Sequence, residues 1–269
     1  MADSTTSETD PNAAPAASEN QDQLILAQKE AIEKDIADKI PLVGAKEPLS
    51  ALETEFANDP SFLKKVKGLG SKYSHFRRTR PDGNCFFRAI GFGYLDLLRT
   101  NPDEYRRFKT AIQASKDEMI ALGMPSFTVE DFYDNFVDTV DAIGGGETTA
   151  EGLLEIFADQ GRSDYLVVFL RLLTSKHLQQ NSEFFMNFME GGKTVAEFCN
   201  TEVEPMYNES DHIHISALTE ATGISVRVLY LDRGEADEVS PHDFPDGKTP
   251  LVHLLYRPGH YDVIYKQDE

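Results

Sequence analysis

Apolar residues recur at helical intervals through most of the chain and alternate with polar ones only near its end. Ile25, Ile32, Ile36 and Ile40 are spaced by seven, four and four, so they line one stripe of a helix that Pro41 terminates. Ser50-Ala51-Leu52-Glu53 and Thr194-Val195-Ala196-Glu197 both fit a capping box. Tyr105, Phe108, Ile112 and Met119 fall on one helical face, as do Phe132, Phe136 and Val140, and Gly144-Gly145-Gly146 reads as a flexible loop between helices. Tyr165 to Leu173 is apolar on almost every side, which predicts a buried central helix interrupted only by Arg171. Asp211 to Thr222 predicts another helix, with Gly223 as its stop. Strands gather late: Ile224 to Tyr230, Val252 to Tyr256 and Tyr261 to Tyr265, the last two joined by the short Arg257-Pro258-Gly259-His260 connection of a hairpin. Pro241, Pro245, Asp246-Gly247 and Pro250 predict a loop before them.

The expected fold class is α+β: helical regions around a small, mainly antiparallel sheet. Residues 1–21, rich in Ala, Ser, Thr, Asp, Glu and Pro, are expected to be a disordered acidic tail, with Ser4, Thr5, Thr6 and Ser7 as possible phosphate acceptors. Residues 22–45 form an amphipathic helical arm, packed on its own domain or gripping a partner's groove, and residues 46–269 form the main domain.

Charge narrows the partners. The 269 residues are 40% hydrophobic and 27% charged, with a net charge of −20. Such a field repels nucleic acid and favours basic partners such as a basic peptide tail. Cys85 and Cys199 are too few for a disulfide framework, no secretory signal opens the chain, and no apolar run reaches membrane-spanning length. A cytoplasmic location is expected, with the nucleus as the other reducing option.

Pro81-Asp82-Gly83-Asn84-Cys85 is a turn that runs at once into the apolar stretch Phe86 to Leu98, and Gly259-His260-Tyr261-Asp262 lies on the last strand. A cysteine at a helix start gains from the positive end of the helix dipole, which favours a thiolate. The turn leaves backbone N–H groups around Asp82 to Cys85 for an oxyanion, and Gly83 permits close approach. Side chains two apart on a strand share a face, so Asp262 can orient the ring of His260 and leave its other nitrogen for Cys85, while Tyr261 and Val263 point toward core. Taken singly, each of these residues has a bland reading; together they supply the nucleophile, base and orienter of a cysteine hydrolase. Cys199 is expected to be a small buried hydrophobe.

Other constellations carry less. Glu209, Asp211, His212 and His214 suggest a metal site, yet on a helix His212 and His214 point apart and Asp211 is a natural N-cap, so no metal is expected. Gly192-Lys193-Thr194 lacks the upstream glycine of a phosphate loop, since Asn187 stands there, and Gly91-Phe92-Gly93 lacks the strand and third glycine of a dinucleotide motif.

Asp82-Gly83-Asn84-Cys85-Phe86-Phe87-Arg88-Ala89 resembles the cysteine box of the ovarian tumour (OTU) family of deubiquitinases, and Gly259-His260-Tyr261-Asp262 resembles its histidine box. Thr79 to Phe86, Ser163 to Val168, Glu209 to Ile215 and Leu254 to Asp262 are similar to the otubain branch specifically, and the resemblance runs from about residue 22 to 266, with its motif-bearing core at about 74–266. It implies a papain-like OTU fold and hydrolysis of the isopeptide bond between ubiquitin's C-terminal glycine and a lysine. Cys85 is then nucleophile, His260 general base and acid, Asp262 the orienter and Asp82 part of the oxyanion-hole loop, with no cofactor. It further implies a preference for K48-linked polyubiquitin (ubiquitin's own numbering), a ubiquitin-binding role for the 22–45 arm, and non-catalytic inhibition of ubiquitin-conjugating (E2) enzymes. Glu209 and His212 are implied to lie near the active site, where Glu209 is expected to compete with Asp262 for His260. Phe184, Phe185 and Phe188 are expected to be core or a ubiquitin-facing patch.

Overall fold

Six strands form one open sheet in the computed structural model, which describes residues 16–189, 191–234 and 238–267. They are β1 Val43–Pro48, β2 Tyr73–Thr79, β3 Val226–Tyr230, β4 Ser240–Phe244, β5 Val252–Arg257 and β6 His260–Lys266, in the order β1-β2-β6-β5-β3-β4. Only β3 and β5 run parallel; the other pairs are antiparallel. β5 and β6 make the expected hairpin, pairing Arg257 with His260 across Pro258-Gly259, and Gly259 takes the left-handed φ of 75° that so short a turn requires.

Helices cover both faces of the sheet. α2 Ser50–Glu55 and α3 Pro60–Leu69 lie between β1 and β2 in the chain. The chain between β2 and β3 is helical: α4 Cys85–Leu98, α5 Pro102–Ile112, α6 Ser115–Ala121, α7 Ser126–Gly144, α8 Ala150–Ala158, α9 Gln160–Gln180, the short α10 Ser182–Phe185 and α11 Val195–Phe198, and α12 His212–Thr222. The larger core joins α4, α7 and α9 to alternate strand residues, Val226, Val228, Leu254, Tyr261, Val263 and Tyr265 among them. The opposite residues of the same strands, Leu229, Leu255 and Ile264, meet Leu52, Phe62 and Val66 of α2 and α3. Period-two alternation thus builds two cores from one sheet. α9 is the buried central helix expected, except that Tyr165 at the start of the run is exposed: Leu166, Val167, Phe169, Leu170 and Leu173 are all buried, and so is Arg171.

Several expectations are corrected. β1 and β2 precede the long helical stretch from α4 to α12, so the sheet does not gather wholly at the end, and the expected loop around Pro241 contains β4, an edge strand. An edge position tolerates Pro241 because its missing N–H costs no ladder bond on the open side. Ser50 does not cap α2; Leu49 occupies the cap position and no side chain bonds there. At Thr194 the reciprocal capping box forms.

Residues up to Lys39 form a unit of their own, and the main domain begins at Ile40. α1 Ala16–Lys39 is this unit's helix. Residues 1–15, with Ser4, Thr5, Thr6 and Ser7, lie outside the described residues, while 16–21 is helical. Ala, Glu and Gln look tail-like by hydropathy but are good helix formers, and a helix already nucleated downstream extends through them. The arm ends at Lys39 rather than 45, since Val43 enters β1. Leu24, Ile25 and Ile32 stand exposed along α1. Among the described residues, no helix is long and apolar enough to cross a membrane.

Removing residues 1–39 is expected to leave the unfolding midpoint of the domain unchanged. Removing residues 1–48 also strips Leu42 and Val43, both 2% exposed, and should lower stability by about 3 kcal/mol or more in chemical denaturation. Equal stability of the two truncations would exclude β1 from the fold.

Candidate active site

The residues of interest come from two places in the chain that the sheet brings together. Asp262, on β6, is completely buried. Its Oδ1 accepts from the Thr79 backbone N–H at 3.0 Å and faces His260 Nε2 at 2.8 Å. Its Oδ2 accepts from Arg257 Nη2. The spacing argument held for the pair: His260 and Asp262 share a face, while Tyr261 turns into the large core and packs edge-on against Phe86 at 5.3 Å.

Because Nε2 is taken by Asp262, the ring has only Nδ1 left, and Nδ1 has no hydrogen-bond partner. Its neighbour is Cys85. Burial would lower the proton affinity of His260, but the bond to Asp262 and the adjacent Cys85 thiol outweigh it and raise the pKa to about 9. Burial would likewise raise Asp262, yet His260, Arg257 and the Thr79 N–H hold it below the ordinary carboxylate range.

Cys85 opens α4 as its first helical residue, 4% exposed. The turn before it is built around Gly83, whose φ is +78°. A Cβ there would stand 2.1 Å from the Tyr207 carbonyl oxygen, so only glycine fits. Tyr207 is itself left-handed, at φ 68°. Asn84 sits at the cap position but does not cap α4. Its Oδ1 accepts instead from Tyr207 N–H at 2.9 Å and from Arg171 Nη2 at 2.8 Å. The first turn of α4 therefore keeps bare N–H groups around Cys85.

Asp82 does not aim its carboxylate at the thiol. It accepts from the Asn84 N–H at 2.9 Å and takes both oxygens to Arg88 Nη1 at 3.0 and 2.8 Å. Its own N–H donates to Arg80 O. Asp82 and Asn84 thus spend their N–H groups within the loop, and the Gly83 and Cys85 N–H groups, with no acceptor among the described residues, are the donors left for an oxyanion.

Four further residues hold this geometry. Thr79 and Arg257 fix Asp262, and Arg88 and Arg171 fix the turn. Both arginines lie wholly inside the domain. A single arginine within an apolar helical run, as in Phe86 to Leu98 and Tyr165 to Leu173, is a signal for such a role, because a cation there must find acceptors. Thr79 and Arg257 carry no local signal; their roles depend on which strands pair.

Glu209 and His212 lie close by, in different settings. The Glu209 carboxylate flanks Gly259, 3.6 Å from where a Cβ would stand. It makes no hydrogen bond to His260, which is already engaged by Asp262, so the expected competition is not present in this conformation. His212 is exposed against Phe244 at 4.7 Å, whereas His214 is buried and closes a capping box with Asp211. The two imidazoles diverge, as the helical spacing requires, and do not form a joint ligand pair. Glu209 and His212 also line a groove of about 890 Å³ whose wall includes Phe184, Phe188 and Phe198 and whose rim carries Glu202 and Glu220. The aromatic cluster divides: Phe185 is core, while Phe184 and Phe188 are exposed in this groove. Cys199 is buried, and burial pushes its thiol up to about 11, away from reactivity.

Residues 35–266 match the family model "Peptidase C65 Otubain". The chain belongs to the otubain family. It is 50% identical over 246 residues to human "Ubiquitin thioesterase OTUB1", covering 91% of this chain and 90% of the relative. It is 42% identical to the Arabidopsis thaliana "OVARIAN TUMOR DOMAIN-containing deubiquitinating enzyme 1", over 87% of this chain and 83% of the relative. The solved complex "h/ceOTUB1-ubiquitin aldehyde-UBCH5B~Ub" superposes with a TM-score of 0.87 at 38% identity, covering 93% of this chain and 99% of that one. The open six-stranded sheet between helical layers is accordingly the papain-like OTU fold.

His260 of this otubain binds its proton more tightly in the folded state than the ordinary 6.5 of an unfolded imidazole, its pKa being about 9. The stability it contributes is therefore complete below pH 6.5 and fades as pH rises through about 9. Asp262→Asn removes the largest upward influence and leaves only the adjacent Cys85 to act against burial. The His260 imidazole resonance, followed by NMR, should then titrate clearly below 9. A midpoint still near 9 would show that Asp262 does not govern the ring.

Proposed function

We propose that this otubain is a cysteine-type deubiquitinase that hydrolyses isopeptide bonds in polyubiquitin through a thioester intermediate. The observation that carries the reading is the Cys85–His260–Asp262 constellation with Nε2 of the ring occupied and Nδ1 bare. A ring raised to about 9 holds a proton at neutral pH. Cys85 attacks the carbonyl of ubiquitin's C-terminal glycine as the thiolate. The developing oxyanion takes hydrogen bonds from the Gly83 and Cys85 N–H groups. His260 gives its proton to the departing lysine amine, then accepts one from the water that frees the thioester. Asp262 keeps the imidazole oriented and Asp82 keeps the turn in shape. No step requires a metal or cofactor.

The acidic, aromatic-lined groove beside Glu209 supports a ubiquitin-sized partner with an apolar patch and a basic tail. The proposed preference is for K48-linked chains, with α1 contributing a second ubiquitin contact through Leu24, Ile25 and Ile32, side chains left exposed on that helix. The same exposed stripe favours a second reading that does not need Cys85: capture of a ubiquitin-charged E2 enzyme, as in the solved complex of a relative. Two unpaired thiols, Cys85 and Cys199, suit a reducing setting, cytoplasmic or nuclear.

Incubation with ubiquitin bearing a C-terminal electrophile should yield a covalent adduct on Cys85 that Cys85→Ala abolishes; an adduct elsewhere, or none, rejects the nucleophile assignment. Cys85→Ser should lose at least about a thousandfold in K48-chain cleavage yet still inhibit E2-dependent chain synthesis. The truncation lacking residues 1–39 should lose both K48 preference and E2 inhibition while still labelling with the electrophile. If preference and inhibition survive that truncation, the role given to α1 is wrong.

A further inference from the structure

Arg88 and Arg171 are both wholly buried next to the Cys85 turn, but they are neutralised in different ways. Arg88 meets two carboxylates, Asp82 at 2.8 Å and Asp164 at 3.0 Å, and its Nε donates to Ser163. Arg171 meets none. Its Nη1 donates to Val203 O at 2.9 Å, and its Nη2 to Gly83 O at 3.1 Å, Asn84 Oδ1 at 2.8 Å and Asn208 O at 2.8 Å. Nε has no partner, and the guanidinium plane lies over the Phe87 ring, 4.6 Å from its centre. Every acceptor of this cation is neutral. Burial lowers its pKa only to about 10, so it stays charged at physiological pH. The anions that act on it through space are Asp82, already shared with Arg88, and Cys85. A buried cation of this kind is costly unless a counter-ion lies near; Arg88 takes Asp82 by direct contact, so the thiolate, which His260 faces from the other side, is the remaining anion near Arg171.

We propose that Arg171 is a positioning residue for the nucleophile: it holds the Gly83 carbonyl and the Asn84 side chain from beneath, and its unneutralised charge favours Cys85 as an anion. The two actions are linked. Fixing Gly83 O sets the peptide plane that carries the Asn84 N–H, and fixing Asn84 Oδ1 holds the residue just before Cys85, so the turn that presents the Gly83 and Cys85 N–H groups keeps its shape, and the same guanidinium adds positive charge beside it. Its contact with Asn208 O also ties the turn to the segment that carries Tyr207 and Glu209. The proposal rests on the reading of Cys85 as the nucleophile. The other charged or titratable groups around the thiol are His260, Asp262 and Tyr261 from β6, Arg257 from β5, Asp82 and Arg88 from the turn and α4, Asp164 from α9, and Glu209. None of them changes in the variants that test it.

The test is alkylation of Cys85 by iodoacetamide in the full chain, followed against pH by peptide mass spectrometry. It needs no ubiquitin, so its outcome is separable from that of the deubiquitinase reading. Arg171→Gln, folded as judged by circular dichroism and thermal unfolding, should react on the order of tenfold more slowly at pH 7, with its profile displaced to higher pH and the same plateau. Arg171→Lys should stay within about threefold of the unmodified chain. A purely structural role would scale the whole profile down without displacing it. That result, a profile for Arg171→Gln that overlays the original, or Arg171→Lys no better than Arg171→Gln, would overturn the proposal. If Arg171→Gln does not fold, Arg171→Met decides: it keeps much of the side-chain length without the charge, and should displace the profile the same way. An undisplaced profile there overturns the proposal equally.

Discussion

A carboxylate with no exposed surface must be met on every side by donors, and Asp262 draws them from three strands. Thr79 N–H reaches it from β2, Arg257 from the end of β5, and His260 from its own strand. Left partly unpaired it would cost several kcal/mol, so the central order β2-β6-β5 and the orientation of the imidazole are settled together. The network continues outward. Arg257 Nη1 binds Glu55 at 2.9 Å and Glu55 binds Arg78 at 2.8 Å, which places α2 and a second residue of β2 behind the same charge. What looks like a two-residue motif on one strand is the inner end of a ladder of alternating charges crossing from one core toward the surface.

The cysteine turn rests on a comparable constraint with the opposite sign. Two buried guanidinium groups flank it, and the only left-handed non-glycine among the described residues, Tyr207, is pressed against the left-handed Gly83. Neither conformation would persist alone. The Asn84 side chain fastens one to the other and thereby gives up the capping bond it would normally make to α4. The helix start is left electrically bare at the one place where bare N–H groups are useful.

How much of this is legible in the residues varies with how local the cause is. The hairpin, the shared face of His260 and Asp262, the stop at Gly223 and the burial of α9 all follow from short-range spacing. β2 did not announce itself, because its buried positions are Tyr73, Phe76 and Thr79, a period of three rather than two, in a strand paired on both sides with charged residues between. β1 offers only Val43 before a glycine, and β4 is an exposed edge that contains a proline. Arg88 and Arg171 were visible as lone cations in apolar runs and needed only the question of what neutralises them. Thr79 and Arg257 could not be found from local pattern at all, since their partner lies on strands whose pairing no short window encodes.

β6 is the last of the described strands in chain order and an interior strand of the sheet, lying between β2 and β5. Until β6 has been made, a growing polypeptide lacks the rib that joins the two halves of the sheet. Its sulfur has emerged long before its imidazole can dock. The vectorial order of synthesis therefore puts the closing of the sheet, and with it the docking of the imidazole, after every other described strand has been made.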